Sequence, residues 1–263
     1  MESSTASRKP AGWLRALDLA RPLFLLAAFV AVHRMLGTWW SIPVAFACVL
    51  AASVLVHDLI HDALSFGGRR NDVLLAVYAL FLLKSGHALR RLHLEHHKHC
   101  LADGDLEGGV VYIPTWRLLV TGPWLAFQAR IHSWKAERRA RTWQAVETLL
   151  DVLLGIALVA SFARTGNAAP LVFLGAVVAV TVTVPVLGAK IPHLLPEQWP
   201  RLVRFLRPFA GRLTPAASSL LFHELHHRRP RLPAALLPEN AGILGTTAPS
   251  NCVASYAARV EPR

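Results

Sequence analysis

Two long apolar runs without charged residues dominate the hydropathy pattern of this chain. They extend over residues 35–56 and 165–189, and each is longer than the roughly 20 residues that a helix needs to cross a bilayer. Two shorter apolar runs, at residues 73–83 and 118–129, reach only about half of that length. We therefore predict membrane-spanning helices from the long runs and helices lying in the membrane interface from the short ones.

Each long run is preceded by a weaker candidate for a membrane span. The uncharged core of residues 17–32 starts only after Arg21, and residues 143–163 contain Glu147 and Asp151 in their first turns. Both segments can cross the bilayer if these charged side chains reach its polar surface. The pattern then predicts an all-α integral membrane protein with about four transmembrane helices, arranged as two hairpins.

The distribution of basic residues predicts how these hairpins are oriented. Of the 28 Lys and Arg, only Arg34 and Arg164 fall in the predicted hairpin turns, near residues 34–38 and 164–167. Because basic residues are enriched on the cytoplasmic side of a membrane, we expect the other polar segments to form a helical cap there. The net charge of +12 is spread among apolar segments, so we expect no nucleic-acid partner.

The composition agrees with a single membrane domain. Hydrophobic residues make up 54% of the 263 residues, charged residues 17%, and the mean hydropathy is +0.39. No internal repeat or long linker divides the chain, so we expect one domain over residues 1–263, with a core at about 40–240 and a polar tail at 1–12. Any electron carrier should then be a separate protein.

The cysteines carry little information. Cys48, Cys100 and Cys252 are too few and too scattered to indicate a disulfide framework or a zinc site made of thiolates. We expect them to be reduced, as is typical of proteins in a reducing compartment.

The histidines carry the strongest chemical signal in the sequence. Eight of the 13 histidines lie in three short clusters with the patterns HxxxH, HxxHH and HxxHH. At this histidine content an HxxHH pattern is expected at only about one position in ten thousand, yet the chain contains it twice. The clusters consist of His57 and His61, of His93, His96 and His97, and of His223, His226 and His227.

Helical geometry explains why such spacing favours metal binding. Residues three and four apart lie on the same face of a helix, with Cβ atoms about 5–6 Å apart. Each cluster would therefore direct its imidazoles to one side, towards a common ion. Imidazole binds iron, zinc, copper and nickel, so the donors do not identify the metal. Solvated interfacial histidines are the alternative, but three clusters on one predicted side of the membrane do not favour it.

These motifs, distributed around two membrane hairpins, resemble those of the membrane fatty acid desaturase superfamily, which includes lipid desaturases, hydroxylases and carotenoid ketolases. The resemblance covers roughly residues 40–240. The cluster segments read HDLIHD, HLEHHKHCLADGDLEG and HELHHRRPRLPAALLP, and the His-His-x-x-Pro-x-Leu-Pro ending of the third is similar to the family pattern. Pro192 and His193 resemble a Pro-His element that carotenoid ketolases and some relatives carry before the third cluster.

The resemblance implies two irons that activate O₂ and allow removal of hydrogen from an unactivated carbon of a lipid chain. No side chain supplies such an oxidant, so a cofactor has to do so. The implied ligands are His57, His61, His93, His96, His97, His193, His223, His226 and His227. Four nearby acids could accept the free ring N–H of a ligand histidine or could simply be solvated: Asp58, Asp62, Asp103 and Asp105.

Departures from the family patterns bear on the substrate. The first cluster has three residues between its histidines, where acyl-CoA desaturases have four, and Ser219 stands where some members have an asparagine. Acyl-CoA is therefore less favoured. We expect desaturation of a lipid-linked fatty acyl chain, with electrons from ferredoxin or a similar carrier and its reductase. The short chain, the HxxHHxH pattern at residues 93–99 and the Pro192-His193 pair favour the alternative, a carotenoid ketolase or hydroxylase.

Two functions of other classes compete with this interpretation. The third cluster satisfies HExxH, in which His223 and His227 would bind zinc and Glu224 would be the general base of a metalloprotease. That function would leave the first two clusters without a role. A metal transporter would place ionisable residues near the middle of its spans, whereas the two long apolar runs contain no His, Asp or Glu.

Overall fold

The computed structural model describes residues 10–134 and 138–245, and within these ranges it contains helices and no strands. The all-α prediction is therefore confirmed. The helices are α1 (Gly12–Leu36), α2 (Thr38–Ile60), α3 (Gly68–Ala79), α4 (Gly86–His99), α5 (Thr115–Ser133), α6 (Arg138–Thr165), α7 (Ala169–Val184), α8 (Ile191–Gln198), α9 (Pro200–Leu213), α10 (Pro215–Leu221) and α11 (His223–Arg228). Short 3₁₀ segments lie at Leu80–Leu82, Gly108–Tyr112, Ala234–Leu236 and Pro238–Gly245, and a π-helical segment, Pro185–Lys190, joins α7 to α8.

Four helical stretches among the described residues are long and apolar enough to cross a membrane. They are α1, α2, α6 and a continuous stretch of 27 residues that runs from Ala169 through the π-helical segment to Leu195. The four predicted spans are therefore confirmed by length and composition. The helices of the two long runs begin at Thr38 and Ala169, a few residues later than predicted.

These helices also continue beyond the apolar runs. As a result α2 includes His57 and Asp58 in its last turn, and the last span includes His193. Helix α2 thus extends past the apolar run to Ile60, and His61 follows as its C-cap. The ends of these two stretches therefore carry His57 and His193.

The two hairpin turns lie at the same end of the molecule. Gly37, with a φ of 87° that disfavours any side chain, separates α1 from α2. The ring of His33 beside it hydrogen-bonds Ser41 through Nδ1 at 3.1 Å and Asn167 through Nε2 at 3.0 Å. Because Asn167 belongs to the turn between α6 and α7, this contact joins the two hairpins opposite to the histidine clusters.

Small residues allow close packing of the first hairpin against α7. Ala45, Cys48 and Ala52 of α2 are completely buried, and small side chains let helix backbones approach each other within a membrane. Larger side chains close the core from the sides, as in the contact of Phe29 with Phe173, whose ring centroids are 6.2 Å apart. The result is a firm support for the end of α2 that carries His57.

The segment predicted as one interfacial helix at residues 73–83 has a different structure. α3 ends at Ala79, a 3₁₀ turn follows, and α4 leaves at an angle of 100° to the preceding helical stretch. Leu83 adopts the left-handed conformation, with φ and ψ both 48°. The second predicted interfacial helix, at 118–129, is confirmed as a helix within α5, and its position in the membrane remains a prediction.

The expectation of three reduced cysteines is wrong for one of them. Cys48 is a buried free thiol, whereas Cys100, directly after α4, is disulfide-bonded. Cys252 lies outside the described residues. A single disulfide leaves no spacing pattern in a sequence, which explains why the prediction failed.

Candidate metal centre

The three histidine clusters and His193 meet in space although they are far apart in the sequence. His57 lies in the last turn of α2 and His61 caps that helix. The second cluster lies on α4, the third on α11, and His193 on α8. All nine predicted ligands are therefore brought together by the ends of a membrane span and by three shorter helices.

The imidazoles form two groups of four, each with one ring nitrogen per residue within 4.8 Å of the others. The first group is His57, His61, His93 and His226, and the second is His96, His193, His223 and His227. Each group mixes residues from at least three helices, so neither could exist before the tertiary structure forms. Two groups of this kind agree with a centre for two ions.

His97 lies between the two groups. Its Nε2 is 3.0 Å from Nε2 of His226 and 3.1 Å from Nε2 of His93, both in the first group. On its other side its ring stacks on His227 of the second group, with centroids 4.3 Å apart. His97 is thus close enough to both groups to complete either one.

The separations of the ring nitrogens fit a metal site. In the second group the Nε2 atoms of His193, His223 and His227 lie 3.0–3.3 Å from their neighbours. Four nitrogens placed tetrahedrally at about 2.0–2.1 Å from one ion are roughly 3.3–3.4 Å apart, close to these separations. Several nitrogen lone pairs aimed at a common point repel one another unless a cation lies between them. The donor set therefore suits transition metals such as iron or zinc.

Unpaired ring nitrogens support the same conclusion for the first group. His57 Nδ1 and His61 Nε2 are buried and have no hydrogen-bond partner among the described residues. A buried polar atom without a partner costs about 1–3 kcal/mol. If His61 binds an ion through Nε2, the ion supplies the missing partner and removes part of that cost.

Two carboxylates orient the rings of α4 from behind. Asp105 accepts a hydrogen bond from His96 Nδ1 at 2.8 Å, and Glu107 accepts one from His93 Nδ1 at 2.7 Å. Because the Nδ1 proton is held by the acid, the Nε2 lone pair of each ring faces the centre. Asp105 was among the four acids predicted for this role. Glu107 was not, although it lies two residues further along the same acidic segment.

Asp105 is held in its charged form. Burial opposes ionisation, but the hydrogen bonds from His96 and from the backbone N–H groups of Gly108 and Leu101 prevail and lower its pKa to about 2. At Glu107 burial raises the pKa of the carboxyl group, and the imidazoles of His96 and His57 oppose that rise. Asp105 is therefore held in its ionised form more strongly than Glu107.

The other three predicted acids have different surroundings. Asp58 accepts from the backbone N–H of Ala234 at 3.2 Å and lies 3.8 Å from His57 Nδ1, too far for a hydrogen bond. Asp62 accepts from the N–H groups of Phe66 and Gly67 and so stabilises the turn after α2. Asp103 is exposed. In the structure, then, Asp58 and Asp62 brace the backbone around the first cluster.

Burial keeps the histidines of α11 neutral. It lowers the pKa of His223, His226 and His227 well below 6.5, and the neighbouring imidazoles lower it further. Neutral imidazole is the form that binds a metal. The site is therefore prepared to bind a cation at physiological pH without first releasing protons from these residues.

A cavity of about 750 Å³ reaches the centre from the membrane-spanning helices. His57, His93 and His223 line one part of it, together with Glu107. The rest of its wall is mainly apolar and includes Val49, Leu50, Ile60, Leu82, Val177 and Val180. A hydrocarbon chain is the kind of molecule that such a wall accommodates.

The HExxH motif lacks the arrangement of a zinc protease. Glu224 forms an ion pair with Arg228 on the same helix, at 2.5 Å, so this contact holds its carboxylate at the side of α11. His223 and His227 are in contact at 3.0 Å, but both also belong to the second group with His96 and His193. The motif is thus part of a larger histidine site.

Comparison with known proteins identifies one family. A family model described as fatty acid desaturase matches residues 35–257 of the chain, which include every histidine of the two groups. No curated protein and no solved structure matches the chain.

Proposed function

The chain belongs to the membrane fatty acid desaturase superfamily, and we propose that it is an O₂-dependent di-iron oxidase that desaturates the fatty acyl chain of a membrane lipid. The observation that carries this proposal is the convergence of two imidazole groups beside an apolar cavity. Both features are needed for the reaction, since a hydrocarbon chain has to lie next to the redox centre. The proposed localisation is the membrane, with the histidines on the cytoplasmic side.

The residues of the chain have distinct proposed roles. The first group would hold one iron and the second group the other, with His97 completing one of them. Two irons bound there would supply the oxidising power that removes hydrogen from carbon. Asp105 and Glu107 keep the rings of His96 and His93 in the required tautomer, and the apolar wall orients the substrate and excludes water.

Access from the bilayer supports a lipid as the substrate. Phe127 and Val178 line the cavity and are also 52% and 60% exposed on the outside of the described helices. Val178 lies on the spanning helix α7, where an exposed apolar side chain faces lipid, and Phe127 lies on α5, the helix predicted to lie in the membrane interface. A lipid chain could therefore enter sideways without crossing the aqueous phase. Electrons would come from a separate donor such as ferredoxin and its reductase.

One observation favours the carotenoid alternative within the same superfamily. His193, part of the Pro-His element that resembles carotenoid ketolases, lies in the second group, with its Nε2 3.3 Å from His96 Nε2 and 3.2 Å from His223 Nε2. A carotenoid is also an apolar chain and suits the same cavity wall. The two substrates are distinguished by their products.

Expression in a host supplied with fatty acids, and separately in one that makes β-carotene, tests the proposal. We expect acyl chains that have lost two hydrogens, detected by mass analysis of the lipids, and no change in cells carrying the His226→Ala variant. Oxygenated carotenoids instead of unsaturated lipids would establish the alternative. An unchanged lipid and pigment profile in cells with folded, metal-loaded protein would contradict both.

The Glu224→Gln variant separates this proposal from a metalloprotease. A protease would lose its general base and with it all peptide cleavage. The oxidase should keep both metals and its lipid products, because Glu224 contacts Arg228 and is not a member of either imidazole group.

A further inference from the structure

A lysine lines the apolar cavity at the bend between α3 and α4. Lys84 follows the left-handed Leu83 and precedes Ser85, the residue that caps α4. The wall around it is mainly hydrocarbon, with Leu82, Leu89 and Val177 among the lining residues. An ammonium group is costly to keep in such surroundings unless it has a partner, so its presence calls for a physical explanation.

The bend that positions Lys84 is constrained by packing. Its 3₁₀ turn, Leu80–Leu82, packs against α2, α6 and α7. At Gly86 a Cβ atom would lie 2.9 Å from the backbone oxygen of Leu75, so α4 can approach α3 only with glycine there. Interrupted helices between membrane spans are tolerated where they are buried in protein or line a cavity. An ionisable residue at such a point indicates a functional site.

The carboxylates near Lys84 already form hydrogen bonds or ion pairs with other residues. Glu147 accepts from Ser85 Oγ, and from the backbone N–H and Nδ1 of His87 at 3.2 and 2.7 Å. Asp72 is 2.6 Å from Arg90. Within residues 10–134 and 138–245, no carboxylate forms an ion pair with Lys84.

The other basic residue of the cavity wall does have a partner. Arg130 lies 3.7 Å from Asp151 and donates to Thr148, and both of these are within one helical turn of Glu147 on α6. Lys84 and Arg130 therefore lie near the same stretch of α6. Of these two cations on the cavity wall, only Arg130 forms an ion pair among the described residues.

We propose that Lys84 binds the anionic end group, a carboxylate or a phosphate, of the lipid whose chain occupies the cavity. This inference rests on the proposed function in one respect, namely that the hydrocarbon part of the lipid extends to the imidazoles. An oxyanion accepts strong hydrogen bonds from an ammonium group, and its charge removes the cost of leaving the lysine unpaired. A carotenoid has no such group.

The position of Lys84 would also determine which carbon reacts. From Gly86 to His93, α4 rises by roughly 10 Å at 1.5 Å per residue, and both Lys84 and His93 line the cavity. With its end group fixed at Lys84, a lipid would present a carbon at a set distance from that end to the centre.

Binding of spin-labelled lipids to the full-length protein in detergent tests the proposal without requiring turnover. The probes are doxyl-labelled stearate, its methyl ester and a doxyl-labelled alkyl phosphate. We expect the unaltered protein to bind the stearate or the phosphate at least about ten-fold more tightly than the ester, and the tighter of the two identifies the end group. Equal affinity for stearate, phosphate and ester would overturn the proposal.

Variants assign the effect to Lys84. Lys84→Met, which removes the charge and keeps the length, should weaken binding of the anionic probe by about ten-fold or more and leave the ester nearly unchanged. Lys84→Arg should preserve the preference. The control is Lys98→Met, at an exposed residue that does not line this cavity. An anion preference that survives in Lys84→Met would overturn the assignment.

The outcome is independent of the chemistry at the metal centre. Because the probes report binding alone, an anion preference that depends on Lys84 can be found even if no desaturated lipid is ever detected. Conversely, lipid desaturation together with equal affinity for the three probes would contradict the role of Lys84 and leave the proposed function intact.

Discussion

Glu107 illustrates how a residue outside the metal site controls the residues inside it. Its carboxylate holds His93 Nδ1 at 2.7 Å, and partners of this kind fix the tautomer and the orientation of a ligand ring. Loss of the acceptor should let the ring turn and present the wrong nitrogen to the first group.

We therefore expect Glu107→Ala to weaken metal binding by about 10–100-fold, measured by metal titration of the purified protein. Glu95→Ala is the matched control, because Glu95 lies on α4 but accepts from His132, which belongs to neither group. Equal metal affinity in the two variants would show that Glu107 does not orient His93.

The neutral histidines of α11 predict how stability depends on pH in the absence of metal. His223, His226 and His227 have pKa values below 6.5 in the folded protein because of burial and of neighbouring imidazoles, and titrate near 6.5 when unfolded. Below that pH the unfolded chain binds more protons, so the free energy of unfolding decreases as the pH falls.

Thermal unfolding of the metal-free protein at pH 7.5 and 5.5 measures this effect. We expect a lower melting temperature at pH 5.5, with about 1 kcal/mol lost per histidine between the two pH values. Replacement of His226 and His227 by Asn should reduce the difference. A melting temperature that is unchanged or higher at pH 5.5 would contradict the assigned neutral state.

At this scale the sequence predicted the histidines better than the acids. The HxxHH spacing identifies candidate ligands because both i+3 and i+4 neighbours share one helical face. Which acid contacts which ring depends on the path of residues 100–108, where Asp105 makes three backbone hydrogen bonds that shape the turn. No local pattern specifies such a path, so Glu107 was missed, and Asp62 accepts from the backbone N–H groups of Phe66 and Gly67.

The bend between α3 and α4 is the element on which the second cluster depends. α4 starts beside Leu75 and carries His93, His96 and His97 to the centre. Glu147 fixes its first turn through Ser85 and His87. Any displacement of this start would move three imidazoles together.

Gly86→Ala should therefore destabilise the protein by about 1–3 kcal/mol, because the added methyl group has to displace the backbone of Leu75. Differential scanning fluorimetry in detergent measures the change. Gly109→Ala is the control, since a Cβ atom there meets nothing within 4 Å. A melting temperature for Gly86→Ala equal to that of Gly109→Ala would show that the close approach does not matter.

The sequence patterns predicted that these helices exist, but they did not predict how the helices are joined. The apolar run at residues 73–83 gives no sign that the chain stops at Ala79 and turns by 100°, since Leu83 is not a residue typical of the left-handed conformation. The bend is imposed by packing against α2, α6 and α7. A hydropathy pattern indicates which residues are apolar and does not show where the backbone changes direction.

For the whole molecule, the structure fixes the relative positions of the turns and the histidines, and the charge distribution predicts their sides of the membrane. Thr165 is exposed at a hairpin turn, and Arg231 is exposed just after α11. The positive-inside rule places Arg231 in the cytoplasm and Thr165 on the other side.

Labelling of single cysteines with a membrane-impermeant thiol reagent in intact cells tests this orientation. We expect Thr165→Cys to react in intact cells and Arg231→Cys to react only after the cells are opened. The unaltered protein is the control for its own cysteines. The reverse pattern would place the histidines outside the cytoplasm and exclude a cytoplasmic electron donor.

The metal content of the purified protein tests the central claim most directly. We predict two irons per chain, one for each imidazole group, and selective loss of one of them in His223→Ala and in His61→Ala. Elemental analysis together with Mössbauer spectroscopy of ⁵⁷Fe-enriched protein gives both the count and the identity. A folded protein that binds a single zinc, or that keeps its full metal content in both variants, would contradict the account.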